Sequence, residues 1–163
     1  MKIRNASIED AEAIGDLIRG LSHLFLVPND GEDAARFHSS LAPEALANLM
    51  RETNRSYLVA EADSKVIGMI MVRDGSHISQ FFVAPAFQGR GIGRLLWLSA
   101  KEKALQAFGS SEFSVNSSLG AVRVYEHLGF HQVGDRTMKN GLEFIPMRLA
   151  NEQPAAAQDT PPQ

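Results

Sequence analysis

The sequence predicts one α+β domain: a mixed, mostly antiparallel sheet of about seven strands flanked by about four helices. Apolar residues recur with a period of two in some segments and near 3.6 in others, giving the order β-α-α-β-β-β-α-β-α-β-β. Short turns at Asp63-Ser64-Lys65, Asp74-Gly75 and Asn140-Gly141 make the strands on either side antiparallel neighbours. A chain of 163 residues with 44% hydrophobic and 21% charged residues suits a single domain, residues 1–150, with a full core.

Residues 2–6 read as a short strand. Ser7 then caps a helix, with Asp10 in the place usually held by Glu in a capping box. Ala11, Ile14, Leu17, Ile18 and Leu21 give that helix its apolar stripe. Residues 22–40, with Pro28, Asn29, Asp30 and Gly31 in their middle, read as irregular. Pro43 opens a helix to about residue 52 carrying Leu46, Leu49 and Met50. Strands follow over 57–62, 66–72 and 76–83. A helix from Arg94 to about Phe108 carries Leu96, Ala100 and Ala104 at helical spacing. Residues 111–115 form the next strand, and the segment after it reads as a helix ending at Gly129. Strands over 131–138 and 142–149 close the domain around Asn140-Gly141. From residue 151 to 163 the chain is rich in Gln, Ala and Pro without a periodic apolar face, and reads as a disordered tail.

Between the strand ending at Val83 and the helix after it lies Gln88-Gly89-Arg90-Gly91-Ile92-Gly93. Glycines in a strand-to-helix turn let the backbone approach a ligand closely and reach positive φ cheaply. The free N–H groups of the helix start, with the helix dipole, favour a phosphate there. Arg90 and Arg94 add positive charge at the same place. The spacing excludes a dinucleotide fingerprint, because the sixth place counted from Gly89 is Arg94, and it excludes a Walker loop, because no Gly-Lys-Ser/Thr follows.

What remains, Q-x-x-G-x-G, has a family. The stretch from Phe82-Val83-Ala84-Pro85 through Gln88-Gly89-Arg90-Gly91-Ile92-Gly93-Arg94-Leu95-Leu96 closely resembles the acetyl-CoA-binding motif of the GNAT superfamily of N-acetyltransferases. A second stretch, Asn116 to Phe130 with Tyr125-Glu126-His127-Leu128-Gly129-Phe130 at its end, is similar to the later GNAT signature. The resemblance covers roughly residues 3–149. It implies that the sheet's central strand splays from its neighbour near a β-bulge. It implies that Gln88, Gly89, Arg90, Gly91, Ile92, Gly93 and Arg94 hold the pyrophosphate of CoA, and that backbone groups of Phe81, Phe82 and Val83 meet the pantetheine arm and the acetyl carbonyl. Some members carry, seven places before the tyrosine, an Asn that contacts CoA; that place here is Ser118, and Asn116, two residues earlier, is the candidate for the contact.

The chemistry so implied is attack of an amine on a thioester, which needs a base, an oxyanion donor and an acid. In the family the tyrosine matched by Tyr125 protonates the leaving thiolate. Read alone, without the resemblance, Tyr125 is preferably a core aromatic with its hydroxyl satisfied locally. Some members place a catalytic Glu or His eleven residues before the motif's Gln, the position of His77. Strand alternation puts residues 77, 79, 81 and 83 on one face, and a histidine has a suitable ordinary pKa. The other reading of His77 is an exposed residue after the Asp74-Gly75 turn.

The implied function is therefore an N-acetyltransferase that moves acetyl from acetyl-CoA directly to a primary amine. The acceptor is a small-molecule amine or a peptide or protein amine. The alternative from another class is a CoA-binding or interaction protein on the same fold with little catalysis. The chain has no cysteine, so acyl transfer through a cysteine is excluded, as are disulfides and thiolate metal sites. No His/Asp/Glu cluster has metal spacing, and no metal is expected. Net charge is −3, or −1 for the chain without Glu152 and Asp159, which gives no basic stripe for nucleic acid. No apolar run is long enough for a membrane span and Met1 to Asn5 lack a signal-peptide pattern, so the expected location is the cytoplasm. A homodimer is a compatible assembly.

Overall fold

The computed structural model describes residues 1–26 and 31–150. The elements run β1 (Lys2–Asn5), α1 (Ala11–Leu21), α2 (Glu32–Ser40), α3 (Pro43–Met50), β2 (Arg55–Ala62), β3 (Lys65–Arg73), β4 (His77–Val83), α4 (Ile92–Phe108), β5 (Glu112–Ser117), α5 (Val122–His127), β6 (His131–Gln132), β7 (Thr137–Lys139) and β8 (Leu142–Ala150). The sheet order is β1-β2-β3-β4-β5-β8-β6, with β7 paired to β8. Every pairing is antiparallel except β4 with β5. The turns after β2, β3 and β7 carry paired positive φ values at Asp63 and Ser64, Asp74 and Gly75, and Asn140 and Gly141. That is the twist-matched hairpin geometry the turn residues call for.

The sheet carries a core layer on each face. Leu58, Ile70, Val72, Ile78, Phe113 and Val115 face α4 and α5, where they pack with Leu96, Trp97, Tyr125 and Phe130. Val59, Met69 and Met71 face α1 and α3, against Ile14, Ile18 and Leu46. Trp97 ties the first layer together, edge-on to Phe113 at 5.1 Å and 5.3 Å from Phe130. The start of α1 is clamped to the sheet edge. Arg4 donates to both oxygens of Asp10 at 2.7 and 2.9 Å and to Glu61 at 2.7 Å. Asp10 also accepts from the Ser7 backbone N–H at 2.7 Å, the half of the capping box in which the third residue reaches back. The Arg4 guanidinium, more than any other group, holds the Asp10 carboxyl below the usual carboxylate range.

Two expectations need correction. Residues 22–40 are not irregular throughout: a 3-10 turn spans Ser22–Leu24, and α2 occupies Glu32–Ser40. That helix buries no residue fully, and its apolar residues, Ala34, Ala35 and Phe37, are too few to show a clear stripe. Glu32 and Asp33 in its first turn complement the helix dipole instead. The single strand expected over 131–138 is two short pieces, β6 and β7, broken around Gly134 and Asp135. The described counts are thus eight strands and five α-helices. The tail from residue 151 lies outside the described residues, as does the centre of the segment around Pro28.

α1 approaches the α2–α3 connection so closely that a Cβ on Gly15 would stand 2.5 Å from the Leu41 carbonyl oxygen. Gly20 on the same helix has open space around it. Gly15→Ala should therefore lower unfolding stability by about 1–3 kcal/mol through overpacking. Gly20→Ala should raise it by about 0.5–1 kcal/mol. Urea titration of both variants checks the pair.

Candidate active site

β4 pairs with β3 along its whole length, from His77↔Arg73 to Val83↔Gly68. With β5 it makes only two pairs, His77↔Ser114 and Ile78↔Val115. Beyond Ile78 the two parallel strands part, and the β5-facing edge of β4 has no strand partner. A cleft of about 480 Å³ opens in that wedge. Phe81, Phe82 and Val83 line it from the sheet, Gly89, Gly91 and Gly93 from the turn, and Tyr125 from α5.

The turn is built for an anion. A 3-10 turn at Pro85–Phe87 ends β4, and Gln88 reaches back with its side-chain amide to donate to the Val83 carbonyl at 2.9 Å. Gly89 and Gly91 stand at φ 73° and 78°, and a Cβ on either would meet no heavy atom, so their bare faces look into open space. The first hydrogen bond into α4 is Leu95 N–H to the Gly91 carbonyl at 3.1 Å. The amides of residues 92–94 therefore face outward with the dipole of a 17-residue helix behind them. Arg90 and Arg94 are exposed at the rim, Arg90 with its guanidinium 5.3 Å from the centre of the Phe87 ring. These groups fit a pyrophosphate.

At the other end of the cleft, Tyr125 is 7% exposed. Its ring lies 6.1 Å from Phe81 and 5.6 Å from Phe130. Burial pushes its phenol well above the ordinary value, so the hydroxyl keeps its proton throughout the neutral range. α5 is only six residues long, and the Phe130 N–H bonded to the Tyr125 carbonyl at 3.0 Å closes its end.

His77 stands elsewhere. The β3–β4 register slips between Met71↔Gln80 and Val72↔Ile78, so Ser79 is an extra, bulged residue. Residues 77, 79, 81 and 83 therefore do not share a face. Phe81 and Val83 pack towards α4, and His77 falls on the opposite face with Gln80 and Phe82. His77 is half-buried, does not line the cleft, and has its Nδ1 2.8 Å from Ser114 Oγ. Burial, with the nearby Arg73 charge second, lowers its pKa below the ordinary histidine value. Asn116, in β5, is exposed and also absent from the cleft wall, where Ser118 appears instead.

Several wall residues were not singled out from the sequence. Leu21, Leu24 and Phe25, at the end of α1 and just past it, close the far side of the cleft. Outside the wall, on the face shared with Phe82, Gln80 Oε1 is buried without a hydrogen-bond partner among the described residues. Among the described residues no group of His, Asp and Glu could hold a metal ion, and no helix is long and apolar enough to cross a membrane.

The comparisons agree with this arrangement. The family model described as "Acetyltransferase (GNAT) domain" matches residues 25–151, so the chain belongs to the GNAT acetyltransferase family. It is an acetyltransferase, and acetyl-CoA is the donor that enzymes of this family use. No curated protein matches the sequence. Among solved structures, the fold is similar to PaiA N-acetyltransferase from Thermoplasma acidophilum in complex with coenzyme A, with TM-score 0.72 and 22% identity over 91% of this chain and 98% of that one. It is also similar to an aminoglycoside 6'-N-acetyltransferase complexed with coenzyme A, with TM-score 0.71 and 14% identity over 92% and 97%. A third is the spermidine/spermine N-acetyltransferase SpeG from Vibrio cholerae, in mutant forms, with TM-score 0.63 and 16% identity over 91% and 92%.

Gly91→Val places a branched side chain where the turn must meet a phosphate, and at a positive φ that valine resists. It should weaken CoA binding about tenfold or more while the protein stays folded. Isothermal calorimetry, with circular dichroism to confirm folding, checks this.

Proposed function

We propose that the protein transfers an acetyl group from acetyl-CoA directly to a primary amine, with both substrates bound together. The observation that carries this reading is the meeting, in one cleft, of an outward-facing amide turn, an unpaired stretch of β4 backbone and a buried, protonated tyrosine. The CoA bound by two of the similar structures supports the donor assignment.

In this reading the amides of residues 89–94, with Gln88, Arg90 and Arg94 beside them, hold the pyrophosphate. The free backbone edge at Phe81, Phe82 and Val83 pairs with the pantetheine arm and takes up negative charge developing on the acetyl oxygen. The amine nitrogen bonds to the acetyl carbon as the carbon–sulfur bond breaks. Tyr125 gives its proton to the departing thiolate, the new amide nitrogen releases its second proton to solvent, and the phenolate is reprotonated from solvent. Tyr125 reaches the sulfur end because its ring is fixed between Phe81 and Phe130. His77 takes the ammonium proton through water along the face of β4 that it shares with Gln80 and Phe82. With Nδ1 donating to Ser114 Oγ, its Nε2 is left as the acceptor. Asn116 stays in the proposal only as a CoA contact outside the cleft wall, and Ser118 is the better placed of the two. Residues 1–150 are the unit that carries this activity.

Tyr125→Phe keeps the ring packing and removes the acid. Its kcat for acetyl transfer should fall about ten- to ten-thousandfold with CoA affinity little changed. Steady-state rates and calorimetry on the folded variant measure both, and near-normal turnover with chemistry rate-limiting would remove Tyr125 from the mechanism.

The His77 proposal has a pH signature. A base works when deprotonated, and the His77 pKa lies below the ordinary 6.5. Activity should thus rise with pH through a midpoint below 6.5 and then stay level, since the Tyr125 phenol loses its proton only well above its ordinary value. His77→Gln should abolish that acidic limb in a kcat/KM profile. An unchanged limb would assign the base elsewhere.

A further inference from the structure

The splayed end of β4 carries a phenylalanine on each side. Phe81 points to the α4 face, where it meets Tyr125. Phe82, one residue on, points to the α1 face. There its ring lies 5.5 Å from Phe25, and Phe25 lies edge-on to Phe37 at 5.4 Å. Phe25 and Phe82 both line the cleft, and Leu21 and Leu24 continue the surface outward. Leu24 is 61% exposed, a leucine left at the mouth. The amide turn and Tyr125 occupy the donor side, so this aromatic wall stands where the acceptor must enter.

Resting on the acetyltransferase reading above, we infer that the acceptor is a small primary amine joined by a short linker to an aromatic or branched aliphatic group, and that Phe82 and Phe25 select it. Size favours a small molecule, because the cleft of about 480 Å³ has to hold the thioester arm as well. Polarity favours an apolar one. The described wall contains no charged side chain. A polyamine or aminoglycoside would carry several ammonium groups into this wall, each stripped of water with no carboxylate among the described wall residues to receive it. Among the described residues, the nearby acidic pair Glu32 and Asp33 sits in the first turn of α2 and is not part of the wall. An aromatic face suits a single ammonium next to an apolar body, stacking the body and attracting the charge.

The chain contains no cysteine, so thiol released from acetyl-CoA is read without background. The test gives the full-length protein phenethylamine, isoamylamine, spermidine and an aminoglycoside in turn. Phenethylamine or isoamylamine should exceed both polycations in kcat/KM by about tenfold to a hundredfold. Phe82→Ala should lower the kcat/KM for phenethylamine by about as much, mainly through KM, with Phe82→Leu recovering part of it. Phe25→Ala provides the second variant should Phe82→Ala fail to fold. Saturation-transfer NMR on the CoA-loaded protein should detect phenethylamine binding that is weakened in the variant. Faster turnover of a polycation, or an unaltered KM in a folded variant, overturns the inference and leaves the transferase reading standing. CoA binding with no turnover of any amine overturns the transferase reading, and the NMR signal then still decides whether the aromatic wall binds amines.

Discussion

The two residue pairs that join β4 to β5, His77–Ser114 and Ile78–Val115, set everything else in the molecule. A parallel pair ordinarily bonds along its length. Here the bonding stops after two residues, and backbone donors and acceptors that a sheet would satisfy are left facing a cleft. This is tolerable because the opposite edge of β4 remains bonded to β3 through Val83. The strand is held straight on one side so that it can be open on the other, and an extended ligand such as a pantetheine arm has a sheet edge to pair with.

The two ends of that cleft are referenced to one core. α4 buries Leu96, Trp97, Ala100 and Ala104, and Trp97 touches Phe130, which touches Tyr125. The helix whose N-terminus offers the amides and the tyrosine at the far end are thus spaced by close-packed rings rather than by loops. Such packing yields little. A donor held at its pyrophosphate would have its reactive end delivered to a fixed place.

What could be read from the sequence follows from what each feature depends on. The turn at Gln88 to Gly93 and the hairpin at Asn140-Gly141 are set by local backbone chemistry, which residue types reveal. Tyr125 was legible through its motif, and its burial then supplied a physical reason for its protonation. α2 was missed because it is short and its apolar residues, Ala34, Ala35 and Phe37, are too few to show a helical period. The face of His77 was misread because one bulged residue at Ser79 inverts the alternation behind it; the resemblance implied a bulge near this strand, but no residue type in His77-Ile78-Ser79-Gln80 marks its position. The Phe25–Phe37–Phe82 wall is a tertiary fact, assembled from three distant segments with no shared period.

An isolated bridge between Leu26 and Leu142 joins the stretch after α1 to the start of β8. A Cβ on Gly141 would come within 3.0 Å of Asp33, so the β7–β8 hairpin also rests against α2. In the proposed reading, the donor side of the cleft is drawn from one run, Phe81 to Tyr125, while the acceptor side joins Phe82 to Leu24 and Phe25 of the early chain, with the late hairpin braced beside them. On that reading, changes near Leu142 reshape what enters without touching how the acyl carrier is held. A lineage could keep one chemistry and exchange its clientele by altering a hairpin more than a hundred residues along the chain from Leu24 and Phe25.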